Sequence, residues 1–295
     1  RQNRQRAALA RRAELRPAAR RLAAVAVGFA GGWAVVYGAL MPFGLGFVLG
    51  FAEDCFAPCA AGAALGVLLH GFGALSLRSV CMLCALGAAV AARWMGARTL
   101  TPAALAGCGT LVGVALCFAF GGGGAELVFY SAADALLAAA MGFCLRQFAP
   151  EKPGAGMLLV GAATAAALGS VRWGWFSPGV LACAAAELAL CCRAQKLAAL
   201  SGSAVLGAAL CAADPALAPA AAGLGCATAS AVVLAPGRRV ETLAAYAGGC
   251  VTGALCVQPP GSAFQYLLNV CIGITAVAAM PAAWLVPEPE EKPQA

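Results

Sequence analysis

Two acidic residues lie deep inside apolar segments of the chain. Asp134 falls within residues 125–145, and Glu187 falls within residues 181–190. A carboxylate in hydrocarbon is costly, so it marks either an ion or proton pathway or a polar contact between two helices. The sequence places no basic residue at the depth of either acid, and this favours the helix contact. We therefore expect Asp134 and Glu187 to be polar positions inside a membrane rather than a relay.

Two pairs of cysteines are candidates for redox chemistry. Cys81 and Cys84 have the spacing of a redox dithiol, and Cys55 and Cys59 flank Pro58 at a predicted membrane edge, among fifteen cysteines in the chain. A working dithiol needs an exposed thiol of low pKa, whereas Cys81 and Cys84 lie in an apolar helix without a nearby Lys or His. Cysteine in such a setting acts as a small hydrophobic residue, so packing is the favoured interpretation. The same holds for Cys191-Cys192, which is otherwise a candidate for S-acylation.

The sequence predicts no catalytic, metal-binding or cofactor-binding set. His70 is the one histidine of the chain and has no partner at metal-ligand spacing, so we expect a structural role for it. Ser177-Pro178-Gly179 is typical of a helix start and lacks the pattern of a nucleophile turn. The four glycines at 121–124 lack the Lys-Ser/Thr of a phosphate-binding loop and indicate a flexible turn.

The elements that hold these residues are predicted to be membrane helices. The chain is 62% hydrophobic and 11% charged, whereas about a quarter of the residues of a soluble domain are charged. Its apolar runs are about 15–20 residues long, the length that crosses a hydrocarbon core. The 37 glycines fit this class, because small residues let membrane helices approach closely. The sequence thus predicts an all-α, polytopic transmembrane helix bundle.

We expect about ten to twelve spans between two short cytoplasmic segments. Residues 1–21 form a basic amino-terminal segment, 22–286 a multi-span membrane domain, and 287–295 a Pro/Glu-rich linker. The predicted spans are 22–41, 58–76, 79–95, 103–120, 125–145, 154–170, 178–192, 197–213, 216–234, 241–257 and 263–285. Residues 42–54 are ambiguous, since this stretch is short for a full span and is compatible with a re-entrant segment.

Basic residues predict the orientation of the chain. The net charge is +7, with eight of the nineteen Lys and Arg in the first 21 residues. If residues 42–54 cross, both termini and every basic residue except Arg78 and Arg172 lie on the cytoplasmic side, as the positive-inside rule demands. The predicted topology determinants are Arg11, Arg12, Arg20, Arg21, Arg93, Arg98, Arg146, Arg193, Lys196, Arg238 and Arg239.

The basic amino-terminal segment also bears on partners. A positive stretch beside a first span contacts anionic lipid, so the expected partner is the bilayer and not nucleic acid. At the opposite boundary, Trp173, Trp175 and Phe176 are predicted to form an aromatic belt. The small-residue faces Gly62-x3-Gly66 and Gly107-x-Gly109-x3-Gly113 are expected to pack helices, within the chain rather than between chains.

The order of these features resembles the amino-terminal membrane region of the stage II sporulation protein E family of endospore-forming bacteria. The shared pattern has a basic head before the first span, then Pro42-Phe43-Gly44-Leu45 with Phe47. A Gly/Ala-rich multi-span body follows, with Ser177-Pro178-Gly179 at the start of a later helix. The turn Pro236-Gly237-Arg238-Arg239 and a cytoplasmic carboxyl end complete it. The resemblance covers most of the chain through short motifs, while the cysteine content and the Ala/Gly bias depart from the family pattern.

The resemblance implies a membrane anchor for an enzyme located further along the polypeptide. In that family a cytoplasmic oligomerisation segment follows, and then a metal-dependent serine phosphatase that activates the forespore sigma factor. The membrane region is therefore expected to self-associate and to lie at the polar septum with division proteins as partners. Mn²⁺ or Mg²⁺ would belong to the phosphatase domain alone, so no cofactor and no catalytic residue is expected in this chain.

Two other functions remain open at the level of sequence. A small-solute or ion transporter would need broken helices and polar groups at the membrane midplane; the short segment after Pro42, Asp134 and Glu187 support it. A membrane thiol oxidoreductase would depend on the two cysteine pairs. The anchoring function is favoured over both.

Overall fold

A computed structural model describes residues 2–51, 53–70, 76–95, 101–120, 123–148, 153–193, 196–234 and 239–281, with side chains from Ala18 onward except at 53–54, 147–148 and 153–155. These residues form twelve α-helices, one 3-10 turn at Pro215–Leu217 and two isolated bridge pairs. The helices are α1 Gln2–Trp33, α2 Pro42–Gly50, α3 Glu53–His70, α4 Leu77–Trp94, α5 Pro102–Ala119, α6 Ala125–Phe148, α7 Pro153–Gly169, α8 Pro178–Cys192, α9 Lys196–Ala213, α10 Ala218–Leu234, α11 Arg239–Cys256 and α12 Pro260–Ala279.

The prediction of an all-α membrane protein is confirmed in its coarse form. Six helices among the described residues are long and apolar enough to cross a membrane. They are α4, α5, α6, α9, the segment Pro215–Leu234 and α12. Three shorter apolar stretches lie in α3, α7 and α8. Each helix that begins with proline uses it where the missing N–H has no intrahelical partner to lose.

The chain divides into two compact units, Arg1–Ala167 and Leu168–Ala295. In the first unit the stretch predicted as the first span, 22–41, is helical only as far as Trp33. Helix α1 begins at Gln2, so the basic segment and the apolar segment form one continuous helix. It ends at Trp33, and Tyr37 and Gly38 then turn the chain with φ angles of 52° and 64°. Glycine adopts such angles without strain, and Pro42 begins α2 directly afterwards.

Helices α1 and α3 pack side by side and run in the same direction. The paired positions are Val25 with Gly62, Phe29 with Gly66, and Trp33 with His70. Two neighbouring parallel helices require the chain between them to return along their length. Residues 34–51 contain the described part of this return, with α2 as its helical part. Pro42, Phe47 and Leu49 of α2 are buried, so the ambiguous stretch lies in the centre of the first unit.

Small residues bring the helices of the first unit together, as the sequence predicted. A Cβ on Gly62 would overlap the backbone of Val25, and one on Gly66 would overlap that of Phe29. Gly109 and Gly113 of α5 lie against the backbone of Ala85 and Cys81 in α4. These contacts lie within the chain, and Gly107, the first glycine of the α5 motif, has nothing within 4 Å of its Cβ position.

Helix α8 is the packing centre of the second unit. It contacts α9, α10, α11 and α12. Its face toward these helices includes the buried residues Val180, Cys183, Glu187 and Leu188. The core around it is built mainly from alanine, leucine and glycine, so a polar side chain on this face must find its partners among the neighbouring helices.

Candidate functional site

Asp134 sits in α6 with both carboxylate oxygens in use. Its Oδ1 accepts a hydrogen bond of 2.7 Å from the backbone N–H of Met41. Its Oδ2 lies 3.0 Å from Nη2 of Arg78, forming an ion pair. The side chains of Arg78 and Asp134 are 20% and 7% exposed. The carboxylate therefore joins α6 to the start of α4 and to the turn before α2.

Sequence reasoning assigned Asp134 no basic partner, and this was wrong. Arg78 was placed at the outer edge of α4, 56 positions away in sequence, but its long side chain reaches the acid. Its guanidinium also lies 4.7 Å from the ring centre of Tyr130, at a distance where cation–π attraction operates. A long basic side chain can bury its stem and place its charge far from its own Cα.

Glu187 is fully buried in α8 and is bound differently. Its Oε2 accepts a hydrogen bond of 2.6 Å from the hydroxyl of Thr228 in α10. Its Oε1 is buried without a hydrogen-bond partner. Among the described residues no salt bridge reaches this carboxyl. The two predicted polar positions thus differ: Asp134 has a cation supplied by the chain, whereas Glu187 has a hydroxyl.

Every helix from α8 to α12 contributes an oxygen or a thiol around Glu187. Ser203 of α9 is nearly buried and lies beside the carboxyl. Tyr246 of α11 is completely buried and Tyr266 of α12 nearly so, and both lie in the surroundings of Glu187. The hydroxyl of Tyr246 lacks a hydrogen-bond partner, whereas that of Tyr266 lies beside the thiol of Cys250. Buried polar atoms are nearly always paired, so this cluster, Glu187 with Ser203, Thr228, Tyr246 and Tyr266, is unusual. We call it the α8 polar cluster.

Asn269 of α12 is a functional position that sequence reasoning missed. Its Oδ1 accepts a hydrogen bond of 2.9 Å from the backbone N–H of Ser177, and its Nδ2 donates to the carbonyl oxygens of Trp175 and Gln265. The side chain is nearly buried and fixes the turn before α8. The available signal was a lone amide within an apolar helix.

The turn that Asn269 holds carries the predicted aromatic belt. Trp173 and Phe176 pair through two backbone hydrogen bonds of 3.0 and 2.9 Å, and Gly174 makes the reversal with φ 58°. The rings of Trp173 and Phe176 stack at 6.2 Å, while Trp173 and Trp175 remain exposed. The structure thus presents exposed indoles on a firmly held turn, as an aromatic belt requires.

The predicted topology determinants occupy varied settings. Arg20, Arg21 and Lys196 are exposed, and Arg193 follows the end of α8. Arg98 and Arg238 lie outside the described residues, as does the linker 287–295, and the side chains of Arg11 and Arg12 are likewise not described. The two arginines on the predicted outer side, Arg78 and Arg172, are both paired with aspartate.

Two of these basic residues hold helix ends. Nε of Arg146 donates to the carbonyl oxygen of Leu49 at 2.8 Å, near the end of α2. Nη2 of Arg239 lies 2.8–2.9 Å from the carbonyl oxygens of Val277, Ala278 and Met280. A cation at a helix C-terminus satisfies carbonyls that have no intrahelical partner. Arg239 therefore closes α12 from the first residue of α11.

The cysteines do not pair as their spacing suggested. Sγ of Cys81 lies 3.5 Å from Sγ of Cys117 in α5, and both residues are buried. All fifteen cysteines are free thiols, and Cys59 is buried as well. Cys81 and Cys117 are thus in contact between α4 and α5, in the kind of apolar setting where thiols act as packing groups.

His70 and Gly107 each lie at a surface of the first unit. The imidazole of His70 meets the indole of Trp33 edge-on, with ring centres 5.7 Å apart.

Gly107 has nothing within 4 Å of its Cβ position. It lines a groove of about 310 Å³ between α5 and α6, together with Thr110 and Ser131. None of the residues that line this groove carries a charge, so its lining is mainly apolar.

The chain was compared with protein-family models, with curated proteins and with solved structures, and none of them matches it.

Proposed function

We propose that this chain is the membrane-anchoring and self-association region of a sporulation phosphatase resembling stage II sporulation protein E. It holds a cytoplasmic enzyme at the polar septum, where division proteins are its partners. The observation that carries the proposal is the sequence pattern Pro42-Phe43-Gly44-Leu45, with Ser177-Pro178-Gly179 further along. Both prolines begin helices that lie at the packing centre of their units.

The proposed topology has both termini in the cytoplasm and about ten to twelve spans, with α2 as part of a full return. The parallel packing of α1 and α3 supports this, because it makes residues 34–51 run back along both helices. The pairing of Arg78 with Asp134 and of Arg172 with Asp214 supports it too. The two arginines that the charge rule leaves outside are both neutralised.

The use of Asp134 fits an anchor better than a pathway. Each of its oxygens accepts one strong hydrogen bond from a different part of the first unit. An acid that holds three elements in this way contributes to a fixed helix arrangement. An anchor needs such an arrangement, whereas a proton relay needs an acid that is free to change partners.

A carboxyl-terminal fusion of a fluorescent protein to residues 1–295 tests orientation and placement together in sporulating cells. Because green fluorescent protein exported in unfolded form does not become fluorescent, emission reports a cytoplasmic carboxyl end. We expect fluorescence concentrated at the polar septum. The matched control is the same fluorescent protein on an unrelated multi-span protein, which should label the whole membrane. An even membrane label from residues 1–295 would overturn septal anchoring, and a dark, membrane-inserted fusion would overturn the orientation.

A further inference from the structure

We propose that the α8 polar cluster binds a monovalent alkali-metal cation. The proposal is independent of the anchoring function. The two buried acids differ in how their negative charge is compensated. Asp134 is neutralised by Arg78 at 3.0 Å, whereas the fully buried Glu187 has one oxygen bonded to Thr228 and the other without a partner. An ionised carboxylate in such an interior requires a compensating positive charge.

The donor atoms of the cluster determine which cation fits. Glu187, Ser203, Thr228, Tyr246 and Tyr266 supply oxygens, and oxygens are the ligands that hard alkali and alkaline-earth cations prefer. One carboxylate carries one negative charge, so a monovalent cation leaves the buried site neutral. A divalent cation would leave a net positive charge in a low-dielectric interior, which is strongly unfavourable.

Burial selects for a cation that has lost most of its water. The oxygens involved belong to Glu187 and Tyr246, which are 0% exposed and each have one oxygen without a hydrogen-bond partner, and to Tyr266, which is 4% exposed and has only the Cys250 thiol beside its hydroxyl. These oxygens come from α8, α11 and α12, while Thr228 adds one from α10. A bound cation would therefore link the packing of several helices, and binding should be measurable as stability of the second unit.

The test compares thermal unfolding of the full chain in detergent with sodium chloride and with choline chloride at equal ionic strength. Sodium should raise the unfolding midpoint saturably, by about 5 °C near saturation, because a ligand bound to the folded state alone stabilises it. Glu187→Gln should abolish the rise. Asp134→Asn is the matched control, since it removes the other buried acid, and it should keep the rise.

Three outcomes would overturn the site. The first is an equal unfolding midpoint in sodium and in choline, and the second is a sodium effect that persists in Glu187→Gln. The third is an infrared carbonyl band that shows Glu187 to be protonated, because it is lost in Glu187→Gln, in a protein on which sodium has no effect. If Glu187→Gln does not fold, Thr228→Val decides the question. It should raise the half-saturating sodium concentration about tenfold, since it removes one ligand and its hydrogen bond. An unchanged half-saturating concentration counts against the site.

A second inference follows from a different observation: we infer that helices α7–α12 repeat the local arrangement of helices α1–α6. Each repeat has a helix, a tight turn with glycine at positive φ, and a helix that begins with proline. The turns contain Gly38 with φ 64° and Gly174 with φ 58°, and Pro42 and Pro178 follow four residues later. Isolated bridge pairs close both turns.

The same hydrogen bond then fixes the two turns. The N–H before the proline is donated to a side-chain oxygen on the last helix of the repeat, by Met41 to Asp134 of α6 and by Ser177 to Asn269 of α12. The separations in sequence are 93 and 92 residues. Asp134 and Asn269 are therefore equivalent positioning residues.

Helix packing follows the same plan from the helix that begins with proline onward. The helix that begins with proline contacts each of the next four helices, α3–α6 in one case and α9–α12 in the other. Two glycines four residues apart then seat α5 on α4 and α11 on α10. The contacts are Gly109 on Ala85, Gly113 on Cys81, Gly249 on Ala227, and Gly253 on Gly223. Internal structural repeats are known in membrane proteins.

A loop exchange tests the equivalence. Residues 36–41 are replaced by the sequence of residues 172–177, which keeps glycine and the following proline in register. The matched control carries the same six residues with glycine moved one position later, so that tryptophan occupies position 38, where φ is 64°. We expect the first chimera to unfold within about 3 °C of the unchanged protein and the control to unfold at least about 6 °C lower, because a bulky residue is strained at positive φ. Equal losses in the two chimeras would overturn the repeat.

Discussion

Replacement of Asp134 by leucine is expected to lower the midpoint of thermal unfolding by about 10 °C. The change leaves the largely buried guanidinium of Arg78 without its carboxylate and the N–H of Met41 without an acceptor. Removing one partner of a buried pair costs about 3–5 kcal/mol, and each kcal/mol shifts the midpoint of a protein of this size by about 2–4 °C. Differential scanning fluorimetry in detergent measures the shift.

Two further variants identify the cause of that loss. Arg78→Leu in the same background should recover a large part of it, since the double variant no longer contains an unpaired buried charge. Asp214→Asn is the control for charge alone, because its ion pair with Arg172 is 44% and 32% exposed. Exposed pairs are worth about 0–1 kcal/mol. An equal effect of Asp134→Leu and Asp214→Asn would show that Asp134 does not hold the first unit together.

Substitution of two glycines by alanine is expected to change stability in opposite directions. Gly62→Ala places a methyl group in the backbone of Val25 and must force α3 away from α1. Overpacking of this kind costs about 1–3 kcal/mol or more. Gly87→Ala meets nothing within 4 Å and should raise stability, since alanine is favoured over glycine in a helix by about 1 kcal/mol.

Thermal unfolding under identical conditions compares the two variants. A lower midpoint for Gly62→Ala together with an unchanged or higher one for Gly87→Ala supports the close contact of α1 and α3. Gly28→Ala provides an independent check from the other helix, because its Cβ would overlap the carbonyl of Cys59. Three midpoints lowered to the same extent would contradict the packing described for these helices.

The small-residue contacts were predictable because their signal is local. Gly62-x3-Gly66 places two glycines on one helix face, and in a membrane such a face is used for close packing. The end of α1 was not predicted, since Val35 and Val36 continue the apolar run beyond Trp33. The stronger local signal was Gly38 followed by Pro42, which is typical of a turn and a new helix start.

The polar contacts were not predictable in the same way because their partners are distant in sequence. Asp134 and Glu187 stood out as acids in apolar segments, but nothing near them indicates Arg78 or Thr228. Asn269 was not predicted because an uncharged amide is a weak signal within an apolar helix. Its role emerges from comparison with Asp134, and that comparison required the two turns to be seen in three dimensions.

The contact of Arg239 with three carbonyl oxygens at the end of α12 has a mechanical consequence. A pull on the chain after Met280 would normally unwind a helix from its free end, one turn at a time. Here the last turn is fastened to the first residue of α11, so the load passes into a second helix before any turn of α12 can open. Tension on the exit of the polypeptide is thereby shared between two helices from the outset.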